Sequence, residues 1–246
     1  MLNHFPTPII FAHRGASAHA PENTLAAFEL AVAQGAPAVE LDVKLTSDRY
    51  LVVLHDHTLQ RTTNGSGLLA ATSFEALREL DAGSWKDAKF AGEKVPLLEE
   101  VLEVVGKKVL INIELTNYTT PYDGLPHEVI ALVQKHGLQD RVIFSSFNFN
   151  NLILAKKNLP ETPCGQLILP GRTGWLERLA ARFIQIEAEH PFTADVDEAY
   201  VERTHKRDRR VHVWTVNDPA DMRRLRSFGV DGIFTDDPLL AQEHFK

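Results

Sequence analysis

The strongest constraint on the fold of this chain is the alternation of short apolar runs with amphipathic stretches along its length. Nine runs have the composition of β-strands: 8–12, 38–43, 51–54, 109–115, 142–145, 165–169, 183–188, 211–216 and 232–235. Amphipathic stretches separate most of them: 24–33, 128–136, 150–158, 175–182, 198–206 and 219–228. This alternation is typical of a parallel sheet that helices cover on both faces.

The number of strands distinguishes between the two common parallel architectures. A parallel successor strand needs a crossover of about a dozen residues or more, but only residues 44–50 separate the second and third runs. We therefore interpret residues 51–54 as the returning arm of a hairpin, which leaves eight strands for a (β/α)8 TIM barrel. An open doubly wound sheet needs a glycine-rich phosphate loop after its first strand. The sequence His13-Arg14-Gly15-Ala16 has no such pattern.

Length and composition limit the class of protein. The chain has 246 residues, of which 44% are hydrophobic and 24% charged, so it is neither disordered, collagenous nor a coiled coil. Since single α/β barrels reach about 250 residues, we predict one domain over residues 1–246, with an insertion at 56–108 on the barrel rim. A net charge of −7 argues against a nucleic-acid partner. No apolar run is long enough for a transmembrane segment and no signal peptide is evident, so we expect a cytoplasmic protein.

Three acidic residues lie where predicted strands end, which is where TIM barrels hold their catalytic groups. Glu40 and Asp42 are two residues apart and therefore face the same side of one strand, and Glu114 ends the neighbouring barrel strand. Three carboxylates at one barrel mouth repel one another unless positive charge offsets them. Oxygen ligands favour a hard divalent cation, Mg²⁺ or Ca²⁺. The alternative is that one or two of the acids form structural salt bridges with Arg14 or Lys44.

Two histidines are predicted to flank these acids. His13 ends the first strand, and a hairpin turn at 47–49 places residue 42 roughly opposite residue 54, which brings His55 level with the carboxylates. Two imidazoles can divide acid and base roles near neutral pH. Two structural histidines would have the same spacing, so the sequence alone leaves both interpretations open.

Further polar and aromatic residues near the strand ends also have two interpretations. Arg14 offers a planar fork suited to phosphate oxygens, or it pairs with Glu22 or Glu40. Trp214 lines the pocket as an apolar wall, or it packs in the core. Asn23-Thr24 begins the first helix, where we expect N-capping.

Several motifs together resemble the glycerophosphodiester phosphodiesterase family. The likeness is strongest in HRG at 13–15, PENT at 21–24, ELD at 40–42 and LHD at 54–56. It continues in INIEL at 111–115, SSF at 145–147, VWTVND at 213–218 and GVDGIFTDDP at 229–238. The resemblance implies a barrel related to the phosphoinositide-specific phospholipases C. It also implies hydrolysis of a small-molecule glycerophosphodiester to glycerol 3-phosphate and an alcohol.

The resemblance assigns roles to individual residues. It implies that His13 and His55 are the acid/base pair and that Arg14 binds the phosphate. It further implies that one Mg²⁺ or Ca²⁺ is bound by the carboxylates of Glu40, Asp42 and Glu114.

One position departs from the pattern of the family. Many members have a lysine two residues after the third acid, where it helps to hold the phosphate, and this chain has Thr116 there. The Thr116 hydroxyl can form hydrogen bonds but adds no charge. Lys44, on the side of Glu40 and Asp42, is a candidate for the missing cation.

Two other functions remain open from the sequence. One is a phospholipase D-like cleavage of lysophospholipids at the same site, which needs an apolar groove for the acyl chain. The other is a barrel that binds glycerophosphodiesters without hydrolysing them, with Thr116 as a sign of lost catalysis. The sequence determines neither the accepted alcohol nor the oligomeric state.

Overall fold

A computed structural model describes residues 5–174 and 184–245 of the chain. The strands within those residues are β1 (Ile9–His13), β2 (Ala38–Leu45), β3 (Leu51–Val53), β4 (Leu110–Leu115), β5 (Val142–Ser146), β6 (Cys164–Ile168), β7 (Ala188–Pro191), β8 (Arg210–Val213) and β9 (Gly232–Thr235). All except β3 are paired in parallel around a ring, and β1 pairs with both β2 and β9, which closes the barrel. The prediction of a (β/α)8 TIM barrel is confirmed.

The β2–β3 hairpin has the predicted antiparallel register. Val43 lies opposite Val53, and the Leu54 amide donates to the Asp42 carbonyl at 3.0 Å. Strand β3 is not part of the barrel wall, because β2 is the one barrel strand with which it pairs, at the end of the strand order. The hairpin therefore brings the segment after β3, which begins with His55, back to the level of Asp42.

Helices cover the outside of the barrel. Those with defined bounds are α1 (Leu25–Ala33), α2 (Phe74–Glu79), α3 (Leu98–Val105), α4 (Leu125–His136), α5 (Phe149–Asn158), α6 (Glu198–His205), α7 (Pro219–Ser227) and α8 (Pro238–His244). The helix predicted at 175–182 lies outside the described residues. No helix in the described part of the chain combines the length and apolar character needed to cross a membrane.

Short helices and turns connect β3 to α3, within the segment 56–108. This connection contains α2 and two single turns of 3₁₀ helix at Leu69–Ala71 and Ala88–Phe90. Leu59, Leu69 and Leu77 form a small apolar cluster with Val52 of the hairpin. Helix α3 packs elsewhere, in the largest apolar cluster of the barrel. The connection is thus attached to the hairpin from which His55 projects.

The seventh strand differs in its bounds from the sequence prediction of 183–188. Strand β7 begins at Ala188, where its pairing with Gly165 of β6 starts, and it continues through Glu189 and His190. Glu189 is fully buried, and Tyr200 donates a hydrogen bond of 2.7 Å to it. The apolar pattern predicted the strand but not its extent, because these polar residues are buried in the strand with partners of their own.

A polar layer lies inside the barrel beneath its mouth. The Asn112 amide donates to Ser145 Oγ at 2.7 Å, and His212 Nδ1 lies 3.2 Å from His190 Nε2. Both histidines are fully buried. Burial lowers the pKa of His190 to about 3 and lowers the pKa of His212 well below its usual range. A side chain at Gly165 would overlap the His190 ring, so the glycine makes room for this pair.

Candidate active site

Three carboxylates converge at the carboxyl ends of β2 and β4. The parallel register places Asp42 opposite Glu114 and Glu40 opposite Asn112. One oxygen atom from each of Glu40, Asp42 and Glu114 lies within 4.8 Å of the other two. Glu40 and Asp42 are 3% and 1% exposed, and Glu114 is half-buried. The structure therefore brings together the three acids that the sequence singled out.

The pKa values of these carboxyls show how the charges compete. Burial and then Asp42 raise the pKa of Glu114 to about 8. Burial, Asp42 and Glu114 raise the pKa of Glu40 well above its usual range. For Asp42, burial acts to raise the pKa, but the positive charges of Arg14, His55 and Lys44 outweigh it and lower the value to about 2. The negative charge of the cluster is thus only partly compensated by the protein.

The donor set fits a hard divalent cation. Glu40 Oε1 is buried without a hydrogen-bond partner among the described residues, although it is an ionisable oxygen beside two other carboxylates. Closely spaced carboxylate oxygens are the ligands that Mg²⁺ and Ca²⁺ take in proteins. Glu40, Asp42 and Glu114 could hold such an ion.

His13 is held by an aspartate from the far end of the chain. Its Nδ1 atom lies 2.6 Å from Asp236 Oδ1, and its Nε2 atom lies 4.0 Å from Glu40 Oε2. The Asp236 carboxylate also accepts hydrogen bonds from Ser17 Oγ and Asn217 Nδ2. Burial opposes the ionisation of Asp236, but these contacts, first that of His13, lower its pKa to about 2. The imidazole therefore presents Nε2 towards the carboxylate cluster.

His55 has a comparable partner in its chain neighbour. Its Nδ1 atom lies 2.7 Å from Asp56 Oδ1. Arg61 donates to both oxygens of Asp56 and to both oxygens of Glu22, at 2.7 to 2.9 Å. The hydrogen bond from Arg61, and then that from His55, holds the pKa of Asp56 well below its usual range. His55, Asp56, Arg61 and Glu22 thus form a chain of hydrogen bonds and ion pairs, the ionic chain, which holds His55 at the mouth of the barrel.

Arg14 closes this ionic chain at the carboxylate cluster. Its Nη1 atom donates to Glu22 Oε1 at 2.7 Å, and its Nε atom lies 3.3 Å from Asp42 Oδ2. Its backbone amide donates to Glu40 Oε2 at 3.0 Å. Burial acts to lower the pKa of Arg14, but the surrounding carboxylates, first that of Asp42, raise it overall. Arg14 therefore forms ion pairs with Glu22 and Asp42 and lies at the edge of the carboxylate cluster.

The N-cap expected at Asn23-Thr24 is confirmed for Thr24, whereas the Asn23 side chain has a different partner. Thr24 caps α1, because its hydroxyl accepts from the Ala27 amide at 3.3 Å. Asn23 has φ 58° and donates from its Nδ2 atom to Asp42 Oδ2 at 2.9 Å. The left-handed backbone turns this side chain towards the carboxylate cluster, and the motif pattern gave no signal for that conformation.

One cavity of about 110 Å³, the central cavity, lies at the centre of the site. It is lined by His13, His55, Arg14, Glu40 and Glu114. Phe147, Leu167 and Trp214 form part of its wall. The rings of Phe147 and Trp214 meet edge to face at 5.7 Å, and Trp214 Nε1 donates to the His190 carbonyl at 2.6 Å. Trp214 therefore lines the pocket.

Lys44 and Thr116 lie beside the central cavity and are not part of its lining. Lys44 Nζ donates to Thr116 Oγ1 at 2.7 Å and to the Thr116 carbonyl at 3.2 Å. The Thr116 hydroxyl in turn donates to the Val43 carbonyl at 2.7 Å. Both residues line a separate cavity next to the hairpin.

Sequence reasoning missed four residues that hold the site together: Asp56, Arg61, Asp236 and Tyr118. Asp56 and Asp236 stand at strand ends but were given no role. The Tyr118 hydroxyl donates to Glu114 Oε1 at 2.8 Å and accepts from the Phe147 amide at 3.1 Å. Tyr118 lies in the loop after β4, where no periodicity or motif indicates the direction of a side chain.

The fold and this site together define a phosphodiester hydrolase. The chain belongs to the Glycerophosphoryl diester phosphodiesterase family, whose sequence model matches residues 13–240. The family resemblance found in the sequence motifs is thereby confirmed.

Relatives with this architecture match along nearly the whole chain. The chain is 41% identical over 232 residues to the glycerophosphodiester phosphodiesterase of Caldanaerobacter subterraneus subsp. tengcongensis, and the alignment covers 94% of each. It is similar to a phosphodiesterase of Oleispira antarctica solved in complex with the product sn-glycerol-3-phosphate (TM-score 0.86, 36% identity, 97% of this chain and 96% of that chain). It is also similar to the glycerophosphodiester phosphodiesterase of Agrobacterium tumefaciens (TM-score 0.80, 32% identity, 96% and 99%).

Proposed function

We propose that this protein hydrolyses glycerophosphodiesters to glycerol 3-phosphate and an alcohol, with a divalent cation bound by the three carboxylates. One observation supports this best: His13 and His55, each with Nδ1 on an aspartate, line the same cavity as Glu40 and Glu114. The relatives add support, because the Oleispira antarctica phosphodiesterase was solved with sn-glycerol-3-phosphate as its product.

The carboxylate cluster is the proposed cation site. Glu40, Asp42 and Glu114 would hold Mg²⁺ or Ca²⁺, and Tyr118 and Asn23 would orient two of these ligands through their hydrogen bonds to Glu114 and Asp42. When bound, such an ion supplies positive charge for a phosphate oxygen and acidifies a nearby hydroxyl or water.

The two histidines are the proposed acid and base. With Nδ1–H donated to an aspartate, each imidazole keeps Nε2 free to exchange a proton with the substrate. One histidine removes the proton of the attacking hydroxyl or water, and the other protonates the oxygen of the departing alcohol. In-line displacement at phosphorus places these two tasks on opposite sides of the phosphate. Such assistance accounts for about 10²–10⁴ in rate.

Arg14 and Trp214 are the proposed binding groups for the phosphate and the glycerol. Arg14 lines the central cavity and carries a permanent charge, so it can offset the charge of the phosphate. The aromatic wall of Trp214 and Phe147 can cover the carbon atoms of the glycerol moiety. The wall excludes water from one side of the phosphate, which strengthens the ionic contacts on the other side.

A direct assay of glycerol 3-phosphate release tests this function. We expect release from one or more of glycerophosphoglycerol, glycerophosphoinositol, glycerophosphoethanolamine and glycerophosphocholine in the presence of Mg²⁺ or Ca²⁺. We also expect the loss of that release after exhaustive chelation and its return when the ion is added back. If no diester releases glycerol 3-phosphate with either ion, the proposed function is wrong. If release survives chelation, the metal requirement is wrong.

A further inference from the structure

A second cavity, the rim cavity, adjoins the active site on the side of the hairpin. Its volume is about 230 Å³, and it is lined by residues that include Lys44, His57, Leu68, Thr116 and Thr119. None of the residues that line it belongs to the proposed acid/base pair or to the carboxylate cluster.

The rim cavity is the next layer outward from the central cavity along the same strands. Lys44 follows Asp42 by two residues, and Thr116 follows Glu114 by two residues, so each pair shares one side of its strand. A strand rises about 3.3 Å per residue, which places the second layer about 7 Å beyond the carboxylates. A phosphodiester has two alcohol substituents. If the aromatic wall of the central cavity covers one of them, the rim cavity is the next space along the same two strands for the other.

The ammonium group of Lys44 belongs to the wall of the rim cavity. Lys44 Nζ donates to both oxygens of Thr116. Burial lowers the pKa of Lys44, and the charges of Asp42, Glu114 and Asp56 oppose that shift. An ammonium at this point can donate a hydrogen bond to a hydroxyl group or an ester oxygen. The same charge repels a quaternary or primary ammonium on a bound alcohol.

The rest of the lining combines a larger apolar surface with hydroxyl groups. Leu45, Leu68, Leu69 and Ala70 provide the apolar surface, and Thr119 offers a hydroxyl group. Asp123 is the carboxylate of the rim cavity, and Asn117 Nδ2, Thr120 Oγ1 and the Leu125 amide donate to its oxygens at 2.7 to 2.9 Å. Donors from the same loop therefore occupy the oxygens of the Asp123 carboxylate.

We propose that the rim cavity binds the alcohol moiety of the diester and favours an uncharged polyol, such as glycerol or inositol, over choline or ethanolamine. This proposal rests on the proposed function, because it concerns the second substituent of the same phosphate. Lys44 and Thr116 thereby act at the boundary with the departing alcohol.

The experiment compares kcat/KM for glycerophosphoglycerol and glycerophosphoinositol with kcat/KM for glycerophosphocholine. We expect the wild-type protein to favour the two polyol diesters. Leu68→Glu adds a carboxylate to the cavity wall at a side chain that is 54% exposed. It should raise the relative kcat/KM for glycerophosphocholine about threefold or more through local attraction. Leu239→Glu is the matched control, because it makes the same charge change at a 48% exposed position on α8, away from both cavities.

The outcomes separate this proposal from the proposed function. A wild-type preference for glycerophosphocholine overturns the alcohol site while hydrolysis itself stands. The alcohol site is also overturned if Leu68→Glu and Leu239→Glu have the same ratio of kcat/KM for the polyol diesters to kcat/KM for glycerophosphocholine. Failure to release glycerol 3-phosphate from any of the diesters overturns both proposals. A melting temperature of Leu68→Glu within a few degrees of wild type shows that the ratio reports on a folded protein.

Discussion

Asp236 Oδ1 lies 2.6 Å from His13 Nδ1, across 223 positions of sequence. The contact joins the end of β1 to the residue that follows β9, so it exists only because the barrel closes between its first and last strands. It directs His13 Nε2 towards Glu40. Asp236 is therefore a positioning residue for the imidazole.

Asp236→Asn should reduce kcat by about 10- to 100-fold with little change in KM, because an amide holds the imidazole less firmly in the required tautomer. Steady-state kinetics of glycerol 3-phosphate release measure both parameters. Asp237→Asn is the control, since the neighbouring residue caps α8 and pairs with His19 at the surface. Equal kcat values for the two variants would contradict the role of Asp236.

Arg61→Met should lower kcat several-fold through His55, because Arg61 holds Asp56 and Glu22 in place. The free energy of unfolding should change by only ~0–1 kcal/mol, since Arg61 is 44% exposed and exposed ion pairs contribute little. Arg49→Met is the control, because Arg49 is 55% exposed and pairs with Glu128. If both variants keep the wild-type kcat, the ionic chain does not position His55.

Glu40→Gln should abolish the rise in melting temperature that Mg²⁺ or Ca²⁺ gives the wild-type protein. At an ion concentration ~100 times Kd, that rise is roughly 5–10 °C. The metal-free variant should melt at or above the wild-type temperature, because it removes one of three repelling carboxylates. The control is Glu99→Gln. Glu99 belongs to a second set of closely spaced possible metal ligands, which also contains Glu103 and His136. A retained ion effect in Glu40→Gln would place the cation elsewhere.

The buried pair of His190 and His212 should make folding sensitive to acid. Their pKa values are lowered in the folded state, to about 3 for His190, whereas the unfolded value is about 6.5. Below pH ~6.5 the unfolded chain binds protons that the folded protein excludes, so stability is full above that pH and falls as the pH decreases towards 3. The fall should be about 1.4 kcal/mol per pH unit for each histidine.

Denaturant unfolding at pH 7.0, 6.0 and 5.0 measures this slope. His212→Gln should reduce the slope by about 1.4 kcal/mol per pH unit, whatever its effect on stability at pH 7. His127→Gln, at an exposed position on α4, should leave the slope unchanged. Identical slopes in all three proteins would show that the buried pair does not control acid unfolding.

Local rules were sufficient for much of this fold and site. Side chains alternate along strands, so the spacing of Glu40 and Asp42 and the hairpin register predicted that Glu114 and His55 would meet them. Eight strands separated by helices predicted the barrel.

Other contacts depend on features that no local pattern contains. The pairing of Asp236 with His13 needs the closed ring, and the contact of Asn23 with Asp42 needs a left-handed backbone at Asn23. The direction of Lys44 depends on the Thr116 oxygens that hold it. Tertiary structure determines each of these contacts, so the sequence alone could not predict them.

The roles of the two histidines are tested by the rate of glycerol 3-phosphate release by wild type, His13→Ala and His55→Ala at saturating Mg²⁺ or Ca²⁺. We expect each variant to lose about 10²–10⁴ in kcat and to keep the rise in melting temperature that the ion produces. Near-wild-type turnover by either variant would show that the imidazole is not the acid or the base, because a site without it would then perform the same chemistry.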